Sequence, residues 1–205
     1  MKLAIITTPD RVEQDKILAR NAKKKFSDVI YTSIDNIKLK VGDEFGVYCN
    51  GDNLIDSDYT LLIPTLKYRE FFYTTVRILE NCRVPTSVVS EKFFIIWNRV
   101  LLLRTLAKEG IKVRKAFSIA QNVVLDKVLK ELKLPVIITT TTGKRIYVNN
   151  EEALKDVLSL FEAGYMITFE KPITPESIIW SFVVGNEVVA SYEKVEKKMR
   201  SIVLD

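Results

Sequence analysis

The feature that most constrains this sequence is a succession of short apolar runs separated by charged, amphipathic stretches. Leu3-Ala4-Ile5-Ile6, Leu61-Leu62-Ile63 and Val136-Ile137-Ile138 are too short for buried helices and end at turn residues, so they read as buried strands. The Lys- and Glu-rich stretches between them read as helices, and the alternation is that of an α/β protein. With 47% hydrophobic residues in a chain of 205, one large core or two small ones can form, which excludes a disordered polypeptide. No apolar run approaches the roughly 20 residues of a membrane span, so no membrane partner is expected. Met1 leads straight into a strand with no signal-peptide organisation, and a cytoplasmic location is the expectation.

Histidine is absent, which excludes Ser-His and Cys-His nucleophile pairs and makes zinc catalysis improbable. The two cysteines, Cys49 and Cys82, lack a metal-type spacing and sit among apolar neighbours, so both read as packed thiols. A net charge of +5 is mildly basic, but Lys and Glu interleave along most helices, as in the segment 193–198. Solvated helix faces account for this charge better than a nucleic-acid patch. Abundant Ile, Val, Lys and Glu hint at a thermophilic source.

Along the chain, Lys2–Thr8 reads as a strand, with Asp10 as the cap of a helix running to about Lys25. Asp28–Ile34 is a second strand. Asn50-Gly51 marks a hairpin between Phe45–Cys49 and the segment around Leu54-Ile55. Tyr59–Pro64 is a strand followed by a helix to about Asn81. Val84-Pro85-Thr86-Ser87 marks a crossing, which divides the chain into regions 1–85 and 86–205. One helix is expected from Ser90 to Gly110, with Gly110 as its C-cap. Then come a strand over Val113–Ser118, a helix over Val123–Leu132 and a strand over Leu134–Thr141. Ile146–Val148 returns, and Asn149 or Asn150 caps a helix over Glu151–Glu162. Met166–Glu170 is a strand, and a hairpin about Gly185-Asn186 joins Ile178–Val184 to Glu187–Glu193.

Several local strings, in this order, resemble the RimK-type branch of the ATP-grasp superfamily, ATP-dependent ligases that join a carboxylate to an amine. They are Tyr48–Leu54 leading to Asp58–Pro64, Leu106–Ile111, and Phe182–Ala190, and together they cover nearly the whole chain. The resemblance implies a pre-ATP-grasp α/β domain over 1–85 and a truncated ATP-grasp domain over 86–205.

The same resemblance exposes departures at the site. The family's first phosphate-contacting lysine, after an acidic residue, becomes Asn98-Arg99, which keeps a cation with a different geometry. Its second, ending a strand, becomes Thr139, and only Gly143 remains of the glycine-rich loop, followed by Lys144-Arg145. The adenine hinge keeps only Glu170. The Asp-x-Arg pair is replaced by Ile178-Ile179-Trp180, which cannot order phosphates. The family's magnesium ligands lie beyond the equivalent of Asp205, so a shortened chain is expected. The residues to which the resemblance points for nucleotide binding are Arg99, Lys144, Arg145 and Glu170. No catalytic residue and no metal ligand is assigned, and neither ATP nor magnesium is expected with assurance as a cofactor.

The reading this favours is a catalytically degenerate ATP-grasp-like protein acting as a binding or regulatory module. The alternative is a carboxylate–amine ligase completed by a partner chain, and a further alternative is a basic nucleic-acid-binding protein. The hairpin side chains Trp180, Phe182, Val184, Val188 and Tyr192 form an apolar face whose natural cover is a homodimer or a partner protein. The other cover is a helix beginning near Lys194.

Overall fold

The computed structural model describes residues 1–120, 125–140, 143–161 and 166–195. The chain divides into two compact units, Met1–Leu102 and Leu103–Asp205.

In the first unit, β1 (Lys2–Thr7), β2 (Asp28–Ser33) and β6 (Tyr59–Leu62) form a parallel sheet in the order β2-β1-β6. The central strand, β1, is buried on both faces, which explains its unbroken apolar sequence. Leu3 and Ile5 pack against Ala19 of helix α1 (Val12–Ala22). Ala4 and Ile6 face a larger core with Ile34, Val47, Leu54, Phe72, Val76 and Leu79. Phe72, Val76 and Leu79 recur at helical spacing on α2 (Arg69–Asn81) and form its buried face. Phe93, on α3 (Ser90–Trp97), is 6.1 Å from Phe72 and stacks edge-on against Trp97 at 3.8 Å. A boundary at Pro85 would separate Phe93 from this core.

A small antiparallel sheet, β3 (Ile37–Lys40), β4 (Gly46–Cys49) and β5 (Asp52–Asn53), completes the unit. Its expected hairpin is present: Asn50 and Gly51 have φ of 51° and 95°, the pair of positive values that a tight two-residue turn requires. Leu54–Asp56, read as the second arm, is a single helical turn. Strand β3 was not anticipated, although Ile37 and Leu39 alternate with Lys38 and Lys40.

Two helix boundaries differ from expectation for identifiable reasons. Asp10 does not cap α1; Arg11 occupies that position without a side-chain cap, and its guanidinium is committed to Asp15. The single helix over 90–110 is broken at Asn98, which is extended at φ −90° and ψ 103°. Asn98 Oδ1 instead accepts a hydrogen bond from Leu101 N at 3.1 Å and starts a new helix, α4 (Arg99–Lys108). An asparagine that caps one helix cannot also continue another. Gly110, at φ 78°, terminates α4 as expected, with Ile111 N donating to Leu106 O at 3.0 Å.

The second unit is built on an antiparallel sheet in the order β7-β10-β8-β9, formed by Ala116–Ile119, Ile167–Glu170, Val136–Thr139 and Arg145–Val148. The register separates its side chains cleanly. Phe117, Ile119, Val136, Ile138, Val148, Ile167 and Phe169 lie on one face, packed against Leu132 of α5 (Leu125–Leu132) and Leu154 and Leu158 of α6 (Glu151–Ser159). Asn150 caps α6, accepting from Ala153 N at 2.8 Å. The opposite face carries Ser118, Thr139, Arg145, Thr168 and Glu170, together with Ala116, Ile137 and Tyr147.

The last described element is the hairpin β11 (Ser177–Val184) and β12 (Glu187–Val195). Trp180 and Tyr192 stack across it, with ring centroids 6.1 Å apart. Both are more than half exposed, and so are Val184 and Val188. Lys194 is part of β12; any helix after Val195 lies outside the described residues, as do Val123, Thr141, Thr142, Glu162 and the end of the chain. Among the described residues no helix is long and apolar enough to cross a membrane.

Candidate functional site

The polar face of the second unit's sheet gathers a buried carboxylate, two guanidinium groups and a threonine hydroxyl. Glu170 ends β10, the inner strand between β7 and β8, and its side chain is fully buried. A carboxylate in that position requires partners, because an unpaired buried charge costs several kcal/mol. The register provides them from both sides. Glu170 pairs with Ala116 on β7, and Arg114, two residues earlier, brings its Nε to 3.2 Å from Oε2. Thr139, at the end of β8, donates its hydroxyl to Oε1 at 3.3 Å. Arg145 stands opposite Thr139 on β9, reaches over β8 and places Nη2 at 4.0 Å from Oε2.

The two guanidinium groups are not equivalent. Arg114 makes a close ion pair, and its side chain is 18% exposed. Arg145 makes a contact beyond hydrogen-bond range, its side chain is 34% exposed, and its buried Nε has no hydrogen-bond partner among the described residues. Beside the cluster, Ser118 and Thr168 share a hydrogen bond at 2.6 Å. Lys171 follows Glu170 but takes no part: its Nζ donates to Lys133 O at 3.1 Å and Pro135 O at 3.3 Å, at the end of α5.

Of the residues expected at a nucleotide site, the structure therefore brings Arg145 and Glu170 together. Lys144 is exposed in the turn between β8 and β9, where Thr140 N donates to its carbonyl at 2.9 Å and Thr140 Oγ1 accepts from its amide. Gly143 takes φ 84° there, so the remnant of the glycine-rich loop closes a hairpin. Arg99 opens α4 within the first unit. Arg114 is the site residue that sequence reading missed. Its signal was the alternation Arg114, Ala116, Ser118 against Phe117 and Ile119, which places it on the polar face.

The first unit has its own buried carboxylate, at the end of β1. Asp15 accepts from Thr7 Oγ1 and from Arg11, at 3.1 Å to Nη2 and 3.3 Å to Nε. Burial pushes the Asp15 carboxyl upward, but the hydrogen bonds from Arg11 and Thr7 outweigh it and hold the group below the usual carboxylate range.

No protein-family model and no curated protein sequence matches this chain. Solved structures do. A RimK-domain ATP-grasp protein from Sphaerobacter thermophilus matches with a TM-score of 0.74 at 13% identity, over 98% of this chain and 76% of that one. D-alanine–D-alanine ligase from Bacillus anthracis, complexed with ATP, matches with a TM-score of 0.62 at 17% identity, over 97% and 72%. N5-carboxyaminoimidazole synthetase from Staphylococcus aureus, complexed with ADP, matches with a TM-score of 0.66 at 18% identity, over 96% of this chain and 54% of that one. The expected α/β, ATP-grasp-like architecture is the one observed.

Proposed function

We propose that this chain of ATP-grasp fold is a binding or regulatory module that does not catalyse ligation. One observation carries the reading: Glu170 is buried and satisfied from within, by Arg114 and Thr139. A nucleotide site needs cations and backbone N–H groups left open to phosphate oxygens. Here the strand end bears a neutral threonine already donating to Glu170, and the turn after it folds on its own backbone. The solved ligases in complex with ATP or ADP support the opposing reading, an ATP-dependent carboxylate–amine ligase completed by a second chain. Thermal unfolding with ATP, ADP and AMP, with and without magnesium, separates the two, because a ligand that binds only the folded state raises the midpoint. The module reading expects no magnesium-dependent ATP turnover. Turnover, by this chain alone or with an added partner, would sink it.

A further inference from the structure

We infer that the polar face of the second unit is a receptor for a small oxyanion, a carboxylate or a phosphate, with Arg145 as the binding arm and Glu170 as its resting counter-charge. The inference rests on the module reading above and gives that module a ligand class. A guanidinium has five N–H donors in a fixed fork. Among the described residues Arg145 spends them poorly: one contact at 4.0 Å to Glu170, and a buried Nε with no acceptor. A buried donor without a partner carries a desolvation cost that a suitable acceptor would remove. Glu170 does not depend on Arg145, because Arg114 at 3.2 Å and Thr139 at 3.3 Å already hold it. Arg145 is thus the weaker half of a carboxylate–guanidinium contest. Its partial exposure lets it trade Glu170 for an incoming oxyanion presenting two oxygens to the fork. A ligand carboxylate needs no metal for this, and no bond is made or broken.

The test titrates the full chain with inorganic phosphate and, separately, with acetate and citrate, at constant ionic strength in chloride, followed by calorimetry and thermal unfolding. The expected result is saturable binding of at least one anion class, and the phosphate and carboxylate arms identify which. Arg145→Gln should weaken that binding about tenfold or more, the scale of one charge-assisted hydrogen bond. Glu170→Gln removes the competing carboxylate and should tighten it. A merely structural role would move both variants in the same direction. Arg145→Lys, which keeps the charge and loses Nε, should fall between wild type and Arg145→Gln, and it keeps the test decisive if Glu170→Gln fails to fold. Unsaturable responses, or saturable ones unchanged in Arg145→Gln, overturn the inference while leaving the module reading intact. Magnesium-dependent ATP turnover overturns both.

Discussion

Among the described residues, each unit buries one carboxylate beside a sheet, and the two are held by opposite strategies. Asp15 finds Arg11 one helical turn away and Thr7 on the adjoining strand, so its partners lie in a single stretch of chain. Glu170 is held by Arg114, Thr139 and Arg145, which meet only after four strands have assembled. Arg11 grips Asp15 with two donors, whereas in the Glu170 cluster one guanidinium is close and the other loose. The local arrangement is complete once α1 packs on β1. The long-range one leaves a donor over, and that surplus is where a ligand can act.

The largest expected effect tests the long-range side. Glu170→Ala removes the buried carboxylate that pairs with Arg114 at 3.2 Å and accepts from Thr139, and should cost about 3–5 kcal/mol in urea unfolding. Arg145→Ala should cost less, under about 1 kcal/mol, because its contact with Glu170 at 4.0 Å lies beyond hydrogen-bond range. If the two variants cost the same, the asymmetry between the guanidiniums does not exist.

Asp15 gives the next effect, and its pH dependence separates it from Glu170 replacement. Asp15→Asn should cost about 1–3 kcal/mol at neutral pH through loss of a charged, buried hydrogen-bond acceptor. Since the folded-state pKa of Asp15 lies below its unfolded value, its stabilising contribution is present above about pH 4 and disappears as pH falls through the folded value. Stability of the wild type should therefore converge on that of Asp15→Asn in acid. A constant gap down to pH 2 would contradict the assignment.

A third, smaller effect isolates local capping. Asn150→Ala and Asn98→Ala should each cost about 1 kcal/mol, because each removes one acceptor from a helix N-terminus. Asn98→Ala should also let α3 and α4 run together, raising helical content by circular dichroism where Asn150→Ala lowers it.

The same contrast explains what was legible in the sequence. Strand β1, the Asn50-Gly51 turn, the Gly110 terminus and the Asn150 cap were readable because each follows from neighbouring residues. The break at Asn98 was not, because the apolar residues on both sides continue a helical pattern that hides a cap in its middle. Arg145 and Glu170 were identified through resemblance, which gave positions without partners. Arg114 escaped because alternation with Phe117 and Ile119 gives only its face, whereas its pairing with Glu170 comes from the β7–β10 register. Arg99 belongs to a different compact unit from the other candidates, a distinction that sequence order does not display.

The hairpin β11–β12 supplies the limiting case, local pairing with little burial. Trp180 and Tyr192 are 55% and 63% exposed although their rings stack, and Ile179, Val183 and Val188 are similarly open. Two strands alone are marginal in water, and apolar surface of this extent is normally covered. The proposed cover is a second copy of the chain. Trp180→Ser should then change monomer stability by less than about 1 kcal/mol, since exposed side chains contribute little to folding. It should shift a dimer measured by sedimentation to monomer. A wild-type chain that sediments as a monomer at all concentrations removes the dimer. It also leaves the stack of Trp180 on Tyr192 as a contact within one hairpin, worth under about 1 kcal/mol at this exposure.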